Sequence, residues 1–355
     1  MSFFETAFGF TETRDYGATQ ATLQGMVVKP ALLDPDLQQP LVVFKRADGN
    51  TIQAGIFETP TLKNLRDRAL KELAVEQAKP GYVAPSEITK VGHIVGDAVA
   101  LHKVPELEGS VFQAASQFNC LEFPSPDNTP EEGITQYMYD RTQGPACAIA
   151  CPAGTAYRNY LVEMPDGQVG QTKANQIDTM DGVTKALGGD FYTVRNGYID
   201  TTNAKLIALS DKKKAMTETQ YDDLKDQLRI GVDWRTQVSA PGVSHIVTQT
   251  YNSACSVSYS RATNAELWKD LACLVLEATY EATMWVAVLE NIYRARAGKE
   301  ARQCYMTKVG GGVFGNEPSW VRGAWEMAAA KLNKRSVSLS CQVVHFRALE
   351  KEYIE

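Results

Sequence analysis

The sequence predicts an α/β fold, in which strands and helices alternate along most of the chain. From Ile88 onward, short apolar runs typical of strands alternate with runs whose apolar residues recur at helical spacing. The longest helical run, residues 265–297, is apolar nearly all round and predicts a buried central helix. A strand, a glycine loop and a helix then follow one another between Cys304 and Leu332. That order predicts an anion-binding turn, because glycines let backbone N–H groups converge and a helix N-terminus adds a positive dipole.

The composition is that of an ordinary globular protein. The chain has 355 residues, 44% hydrophobic and 22% charged, which is enough for one large or two ordinary domains. A net charge of −6 gives no sign of a polyanion-binding surface, so nucleic acid is not an expected partner. We find no continuous apolar run of transmembrane length and no secretory signal at the start, so no membrane partner is expected.

The seven cysteines predict reduced thiols and a cytoplasmic protein. Their number is odd, their spacing is irregular, and most of them lie in apolar runs. None of the four histidines lies near Cys147 and Cys151, so we expect no metal site. No cofactor is expected either.

The chain is predicted to divide near residue 87. Residues 1–87 form an N-terminal extension, whose first 40 residues are interpreted as a loosely structured lead-in. Asp48-Gly49 lies between two apolar runs and predicts a hairpin, and apolar spacing over residues 61–78 predicts a helix. Residues 88–355 form the main domain, with an insertion at about 163–231.

Besides the strand that begins at Cys304, five strands are predicted in the main domain, some before and some after this insertion. The strands are expected at residues 91–101, 110–115, 146–153, 244–257 and 337–346. Gly96-Asp97 lies inside the first of them, and the second breaks into a loop at Ala114-Ala115-Ser116. Thr129, Pro130 and Glu132 form a capping box that predicts a helix over residues 129–142, and Thr217 with Gln220 predicts another over residues 217–228.

Three readings of the glycine loop remain open. Gly310, Gly312 and Gly315 match the G-x-G-x-x-G dinucleotide fingerprint. Only one further strand follows, however, and no acidic residue lies about 20 positions on, so this reading is weak. A Walker A loop is excluded, since no Gly-Lys-Ser/Thr follows. A tight strand–helix turn without a ligand is the second reading, and a phosphate-binding loop of the type described next is the third.

An apolar strand precedes the segment Gly312-Val313-Phe314-Gly315, and a helix to Leu332 and a last strand follow it. This arrangement resembles the second phosphate loop of the macrodomain superfamily. The resemblance covers residues 88–346 and implies a three-layer α/β/α core with a mixed sheet. It also implies binding of ADP-ribose. The glutamates and the divergent first loop are similar to those of the poly(ADP-ribose) glycohydrolase branch. Bacterial effector-type macrodomains that process ADP-ribosylated ubiquitin are further possible relatives.

The resemblance assigns roles to particular residues. The diphosphate would lie over the glycine loop, on Gly310, Gly311, Gly312, Val313, Phe314, Gly315 and Asn316. Asp97 would accept a hydrogen bond from the adenine amino group. Asn119, after the first loop, would hold the distal ribose.

Candidate catalytic groups are the carboxyls that follow the first loop. Release of ADP-ribose passes through an oxocarbenium-like state and needs acid or base help from carboxylates. The candidates are Glu122, Glu131, Glu132, Asp140 and Asp233. For each of them a capping or surface role is the competing interpretation, most explicitly for Glu132.

The function expected from these observations is hydrolysis of ADP-ribose from a modified protein, and the resemblance adds ADP-ribosylated ubiquitin as a candidate partner. An ADP-ribose reader without turnover, or an interaction module with an empty loop, is the alternative. A dinucleotide-dependent oxidoreductase is the third class.

Overall fold

The computed structural model describes residues 1–28, 33–85, 88–240 and 242–354. Within these ranges, nine strands form one mixed sheet and helices cover both of its faces. The predicted α/β fold with a mixed sheet is therefore confirmed.

The helices and strands are numbered in chain order. The strands are β1 (Val27–Val28), β2 (Val42–Lys45), β3 (Thr51–Glu58), β4 (Lys90–Val95), β5 (Val111–Ala115), β6 (Thr193–Arg195), β7 (Tyr198–Asp200), β8 (Gly231–Gln237), β9 (Ile246–Asn252), β10 (Cys304–Met306) and β11 (Ser340–His345). The helices are α1 (Phe3–Phe8), α2 (Tyr16–Met26), α3 (Leu62–Gln77), α4 (Ala98–His102), α5 (Gln143–Ala150), α6 (Pro152–Ala156), α7 (Asp181–Leu187), α8 (Asn203–Lys214), α9 (Glu218–Lys225), α10 (Lys269–Arg296) and α11 (Pro318–Asn333).

The sheet order is β1-β2-β3-β8-β9-β5-β10-β11-β4, while β6 and β7 form a separate hairpin. The strands from β9 to β4 in this order are parallel, and those from β1 to β9 are antiparallel. The carboxyl ends of five strands therefore meet at one edge. This edge is where the loops after β4, β5, β9, β10 and β11 come together.

Alternating side chains of β5 show how the layers are packed. Val111 belongs to the core that contains α10, and Gln113 donates a hydrogen bond to Thr283 of that helix at 3.2 Å. Phe112 and Ala114 point to the other face, where they pack near cysteines of the α5–α6 region. Helix α10 contacts both α3 and α11 on the first face, and α5 contacts both α4 and α6 on the second.

The predicted central helix is confirmed. Residues 265–296 are long and apolar enough, by length and composition, to cross a membrane, but 89% of the most apolar window is buried inside the protein. A helix that is apolar all round and packed on every side is a core helix.

The N-terminal extension is more ordered than predicted. The hairpin and α3 are confirmed, and β3 pairs with β8 inside the main sheet. The prediction that the first 40 residues are loosely structured is wrong, because residues 3–8 and 16–26 form helices capped by the side chains of Ser2 and Asp15. The division at residue 87 stays a prediction, and residue 87 itself lies outside the described ranges.

Two predicted strands are wrong near the parallel edge. The strand over residues 91–101 ends at Val95, because the Asp97 side chain accepts a hydrogen bond from the Ala100 N–H and starts α4. Residues 146–153 belong to α5 and α6 instead of a strand. Their many alanines are good helix formers, and Pro152 at the first position of α6 separates the two helices.

The capping-box segments have different outcomes. Thr217 and Gln220 cap α9 as predicted. Thr129 and Glu132 also form a capping box, but it closes only a short 3-10 turn. Gly133, with a φ of +81°, ends that turn, and a second 3-10 turn covers Thr135–Tyr139.

Candidate functional site

A cavity of about 620 Å³ lies at the edge where the parallel strands end. Its lining includes Gly96 and Asp97 after β4, residues 115–117 at the end of β5, Ala254 after β9, residues 307–314 after β10, and Phe346 after β11. Ligands of open α/β sheets bind in the crevice outside the carboxyl ends of the strands. The topology therefore makes this cavity the candidate ligand site.

The glycine loop, residues 310–315, forms one wall of the cavity. Gly310 has a φ of +72°, a region that favours glycine. A Cβ at Gly310 would lie 2.3 Å from the Cβ of Ala254, and one at Gly311 would lie 2.2 Å from the hydroxyl oxygen of Tyr353. Glycine at these two positions is what allows the loop to approach its neighbours this closely.

Three consecutive backbone N–H groups of this loop have no acceptor within the described ranges, those of Gly312, Val313 and Phe314. All three residues line the cavity. The internal hydrogen bonds of the loop use other donors, because the N–H groups of Gly315 and Asn316 donate to carbonyls of the loop at 3.0 Å. The loop therefore has three backbone donors without an acceptor at residues that line the cavity, while its role in binding an anion stays a prediction.

Asn316 supports the loop and does not line the cavity. Its Nδ2 donates to the carbonyl oxygens of Cys255 at 2.8 Å and Gly310 at 3.2 Å. It therefore ties the loop to the segment after β9.

The helix N-terminus at the cavity belongs to α5 and not to α11. Helix α11 begins at Pro318 as predicted, but none of its described residues lines the cavity, whereas residues 142–146 do. Gln143 fixes this turn to β5, since its Nε2 donates to the Gln113 carbonyl at 2.7 Å and its Oε1 accepts from the Ala115 N–H at 3.0 Å. A Cβ at Gly144 would lie 1.8 Å from the Ala115 carbonyl oxygen, so only glycine permits this contact.

Aromatic side chains form a second wall. The rings of Tyr198 and Phe314 lie 5.4 Å apart, and that of Tyr259 lies 5.6 Å from Tyr198 and 5.7 Å from Phe314. Tyr198 comes from the predicted insertion, and its hydroxyl donates to the Phe123 carbonyl at 2.8 Å. The insertion therefore contributes directly to the cavity.

Four carboxyl groups of the described chain line the cavity: Asp97, Glu122, Asp140 and Glu350. One oxygen of Asp97 accepts from the Ala100 N–H at 2.9 Å, and one of Asp140 accepts from the Thr142 N–H at 2.8 Å. Glu350 forms an ion pair with Lys308, which also lines the cavity. The guanidinium of Arg141 is a second cation in the lining.

Glu122 differs from the other three in its burial. Its side chain is 0% exposed, and its Oε2 has no hydrogen-bond partner. The Oε1 atom lies 3.5 Å from Nη2 of Arg158, and the backbone N–H donates to the Tyr137 hydroxyl at 3.0 Å. Burial raises the pKa of Glu122 to about 8, because the Arg158 cation compensates only in part.

Asp233 lies behind Glu122 and does not line the cavity. It is fully buried, and its Oδ2 accepts from Nη1 of Arg158 at 2.6 Å. Burial raises its pKa to about 6 against the opposing effect of Arg158. A bulge between Asp233 and Thr236 interrupts the pairing of β8 with β9, and within it Arg235 has a φ of +57°.

Three further predicted catalytic residues, besides Asp233, lie outside the cavity lining. Asn119 is buried, and its side chain donates to Gln176 at 2.8 Å and accepts from the Leu121 N–H at 3.1 Å. Glu131 accepts from the Lys173 N–H at 2.8 Å. Glu132 accepts from the Thr129 N–H in its capping box at 2.8 Å. Each of these side chains is held by a local structural contact.

Arg158 is the central residue that the sequence reasoning missed. A signal was present, because Arg158 is the one charged residue in the small and apolar segment 151–162, and a buried arginine needs a partner. Its partners cannot be read from the sequence, since Asp233 is 75 positions away.

The described residues contain no group of three or more His, Cys, Asp or Glu side chains arranged to hold a metal ion. All seven cysteines are free thiols.

No family model matches this chain, and no curated protein does. Solved structures of bacterial poly(ADP-ribose) glycohydrolases are similar to it. The enzyme from Deinococcus radiodurans in complex with ADP-ribose is 10% identical with a TM-score of 0.39, over 84% of this chain and 91% of that one. The enzyme from Thermomonospora curvata is 12% identical with a TM-score of 0.35, over 96% of this chain and 95% of that one. Bound to the inhibitor ADP-HPD, it is 13% identical with a TM-score of 0.31, over 94% and 92%. At these values no residue role transfers to this chain.

Proposed function

We propose that the protein binds ADP-ribose in this cavity and hydrolyses the glycosidic bond that joins it to a modified protein. The observation that carries the proposal is the presence, in one cavity, of three backbone N–H groups without an acceptor and a buried carboxyl, one oxygen of which has no hydrogen-bond partner. The N–H groups suit a diphosphate, and the carboxyl suits proton transfer. A volume of about 620 Å³ falls within the range of roughly 300–1,000 Å³ that is usual for ligand sites.

The binding half of the proposal uses the glycine loop and the two cations of the lining. The N–H groups of Gly312, Val313 and Phe314 would donate to the diphosphate, with Arg141 and Lys308 adding positive charge. Asp97 has one oxygen left to accept from the adenine amino group, as the macrodomain resemblance implies. Asn119 has no place in this proposal, because its side chain is used elsewhere.

The catalytic half assigns the acid to Glu122. With a pKa of about 8, Glu122 is mostly protonated at neutral pH. It can therefore give a proton to the leaving group as the glycosidic bond breaks. Asp140, the next candidate carboxyl that lines the cavity, is the proposed base that activates water. Glu131, Glu132 and Asp233 do not reach the cavity and are not assigned to proton transfer.

A reader that binds ADP-ribose without turnover is the second candidate. The observation that favours it is the placement of Asn119, since the residue expected to hold the ribose lies outside the cavity lining. The linkage, the modified protein and a possible role for ubiquitin stay predictions, as does the cytoplasmic location.

Calorimetry with ADP-ribose tests the binding half. Gly312→Glu should abolish binding, because it adds a carboxylate to the anion cradle. A Cβ at Gly312 meets nothing within 4 Å, so the fold should tolerate the change. Gly25→Glu, an equally unhindered glycine on the exposed side of α2, is the matched control and should bind as the parent does. Parental affinity in Gly312→Glu with an intact circular dichroism spectrum would contradict the proposal. Release of ADP-ribose from a modified protein then separates hydrolase from reader.

A further inference from the structure

A buried group of charges lies behind the acid of the cavity. Arg158 is 0% exposed, and its guanidinium contacts both Asp233 and Glu122. Its Nε donates to the Cys120 carbonyl at 3.0 Å, and its Cζ lies 3.4 Å from the ring centroid of Tyr251. The guanidinium is therefore fixed from several sides and cannot reorient without breaking these contacts.

One cation faces two carboxyls in this group. The other titratable groups that face it are thiols and phenols of the surrounding elements: Cys120, Tyr137, Cys147, Cys151 and Tyr251. Burial raises the pKa of each of them, so they are neutral around pH 7. If both carboxyls were ionised, the group would carry an uncompensated buried charge, which is costly. One proton retained on either carboxyl makes the group neutral.

The distances decide which carboxyl keeps the proton. Nη1 of Arg158 lies 2.6 Å from Asp233, the length of a strong charge-assisted hydrogen bond. Nη2 lies 3.5 Å from Glu122, which is at the limit of a hydrogen bond. Asp233 therefore holds the arginine, and Glu122 is the carboxyl left to carry the proton. Oε2 of Glu122 and Oδ1 of Asp233 both lack a partner, but only Glu122 lines the cavity.

We propose that Arg158 and Asp233 are positioning residues, and that Asp233 keeps Glu122 protonated by occupying the one cation that would otherwise ionise it. This rests on the proposed function, in which Glu122 donates the proton. As the bond to the anomeric carbon breaks, the proton moves from Glu122 to the leaving-group atom. A water molecule supplies the hydroxyl that adds to the anomeric carbon, and Asp140 accepts its remaining proton. Proton exchange with solvent then returns Asp140 to the carboxylate and Glu122 to the protonated form.

The test is Asp233→Asn, which keeps the shape of the side chain and removes its charge. The Arg158 cation then acts on Glu122 alone, and an opposite charge at this distance lowers a carboxyl pKa by about one to three units. We expect the alkaline limb of the pH–rate profile for ADP-ribose release to move down by about one pH unit or more, with ADP-ribose affinity nearly unchanged. Glu290→Gln is the matched control. Glu290 is also buried, with a pKa raised to about 7, but it contacts Thr248 away from the cavity, so the limb should not move.

Infrared spectroscopy of the unliganded protein makes the test independent of activity. A protonated carboxyl gives a C=O stretching band in the infrared spectrum. The band of this kind that is lost in Glu122→Gln is assigned to Glu122. We expect this band at pH 7 in the parent and in Glu290→Gln, and a loss of about half of its intensity or more in Asp233→Asn. An unmoved pH limb, or a band that keeps its parental intensity in Asp233→Asn, overturns the inference. If the parent releases no ADP-ribose at all, the proposed hydrolysis fails, while the band still decides the role of Arg158 and Asp233.

Discussion

At the scale of single residues, burial separates Glu122 from the other acids that follow the first loop. Glu131 and Glu132 accept backbone hydrogen bonds in exposed or half-exposed turns, whereas the side chain of Glu122 is fully buried. Desolvation disfavours the charged form of a carboxyl and so keeps it protonated at a pH where an exposed glutamate is ionised. The same residue type thus serves as a cap in one place and as a candidate acid in another.

Glu122→Gln is expected to slow single-turnover release of ADP-ribose by about 10²- to 10⁴-fold, because a positioned acid contributes on that scale. The amide has nearly the same shape and carries no charge, as the protonated acid does, so ADP-ribose affinity should stay within a few-fold of the parent. Rapid-quench measurement of release, with calorimetry for binding, checks both.

Glu131→Gln serves as the control for this change, since Glu131 follows the same loop but lies outside the cavity lining. It should release ADP-ribose at the parental rate. Equal rates for Glu122→Gln and the parent would remove Glu122 from the mechanism. A large loss of affinity in Glu122→Gln would give it a binding role instead.

At the scale of elements, the segment after β11 acts on the glycine loop. Glu350 pairs with Lys308, and the hydroxyl of Tyr353 donates to the Gly311 carbonyl at 3.1 Å. The Lys308 cation therefore lies beside the proposed anion site but is neutralised by Glu350. A carboxylate next to an anion cradle weakens anion binding by Coulomb repulsion.

Glu350→Gln is consequently expected to raise the affinity for ADP-ribose by several-fold at low ionic strength, because it releases Lys308 to the diphosphate. The gain should shrink as salt is added, since both groups are partly exposed. Calorimetry at two salt concentrations measures this. Lys308→Met should weaken binding, and the double variant should resemble Lys308→Met. A Glu350→Gln protein that binds more weakly than the parent would contradict the expected role of Lys308.

The elements that were predictable have local signals. Asp48-Gly49 marks the hairpin, Thr217 with Gln220 marks α9, and the apolar run after residue 265 marks α10. By contrast, residues 146–153 form an apolar run that is equally compatible with a strand or a buried helix. In the structure α5 begins at Gln143, where Gly144 packs against the Ala115 carbonyl of β5, a contact between residues distant in sequence.

The cavity was predictable in part. The glycine loop is a continuous motif, and its free N–H groups follow from its composition. The acid site depends on Arg158, Glu122 and Asp233, which are distant in sequence and meet only through packing of α6 and the following π-helical turn against β8. Their pKa values depend on burial, which no local pattern reports.

At the scale of the whole molecule, the buried carboxyls make stability depend on pH. Burial raises the pKa of Asp233, Glu290 and Glu122 to about 6, 7 and 8. The unfolded chain has ordinary carboxyl values, so the folded state binds more protons over this range. The stabilisation that these carboxyls contribute is fully present below their pKa in the unfolded chain. It is lost as the pH rises through their pKa in the folded protein. Histidines whose pKa is lowered in the folded protein make the stability rise with pH instead, but this rise is complete near pH 7.

The free energy of unfolding should therefore fall between about pH 7 and pH 8, by about 1 kcal/mol, because each coupled proton contributes up to about 1.4 kcal/mol per pH unit. Glu122 accounts for most of this interval, since its folded pKa is the highest of the three. Urea denaturation at several pH values measures the slope, with the m-value checked for constancy. Glu122→Gln should flatten the curve between pH 7 and pH 8, whereas Glu131→Gln should leave its slope unchanged. Parallel curves for the parent and Glu122→Gln would mean that Glu122 is already ionised in the folded protein, and the acid would have to be sought among the other carboxyls of the cavity.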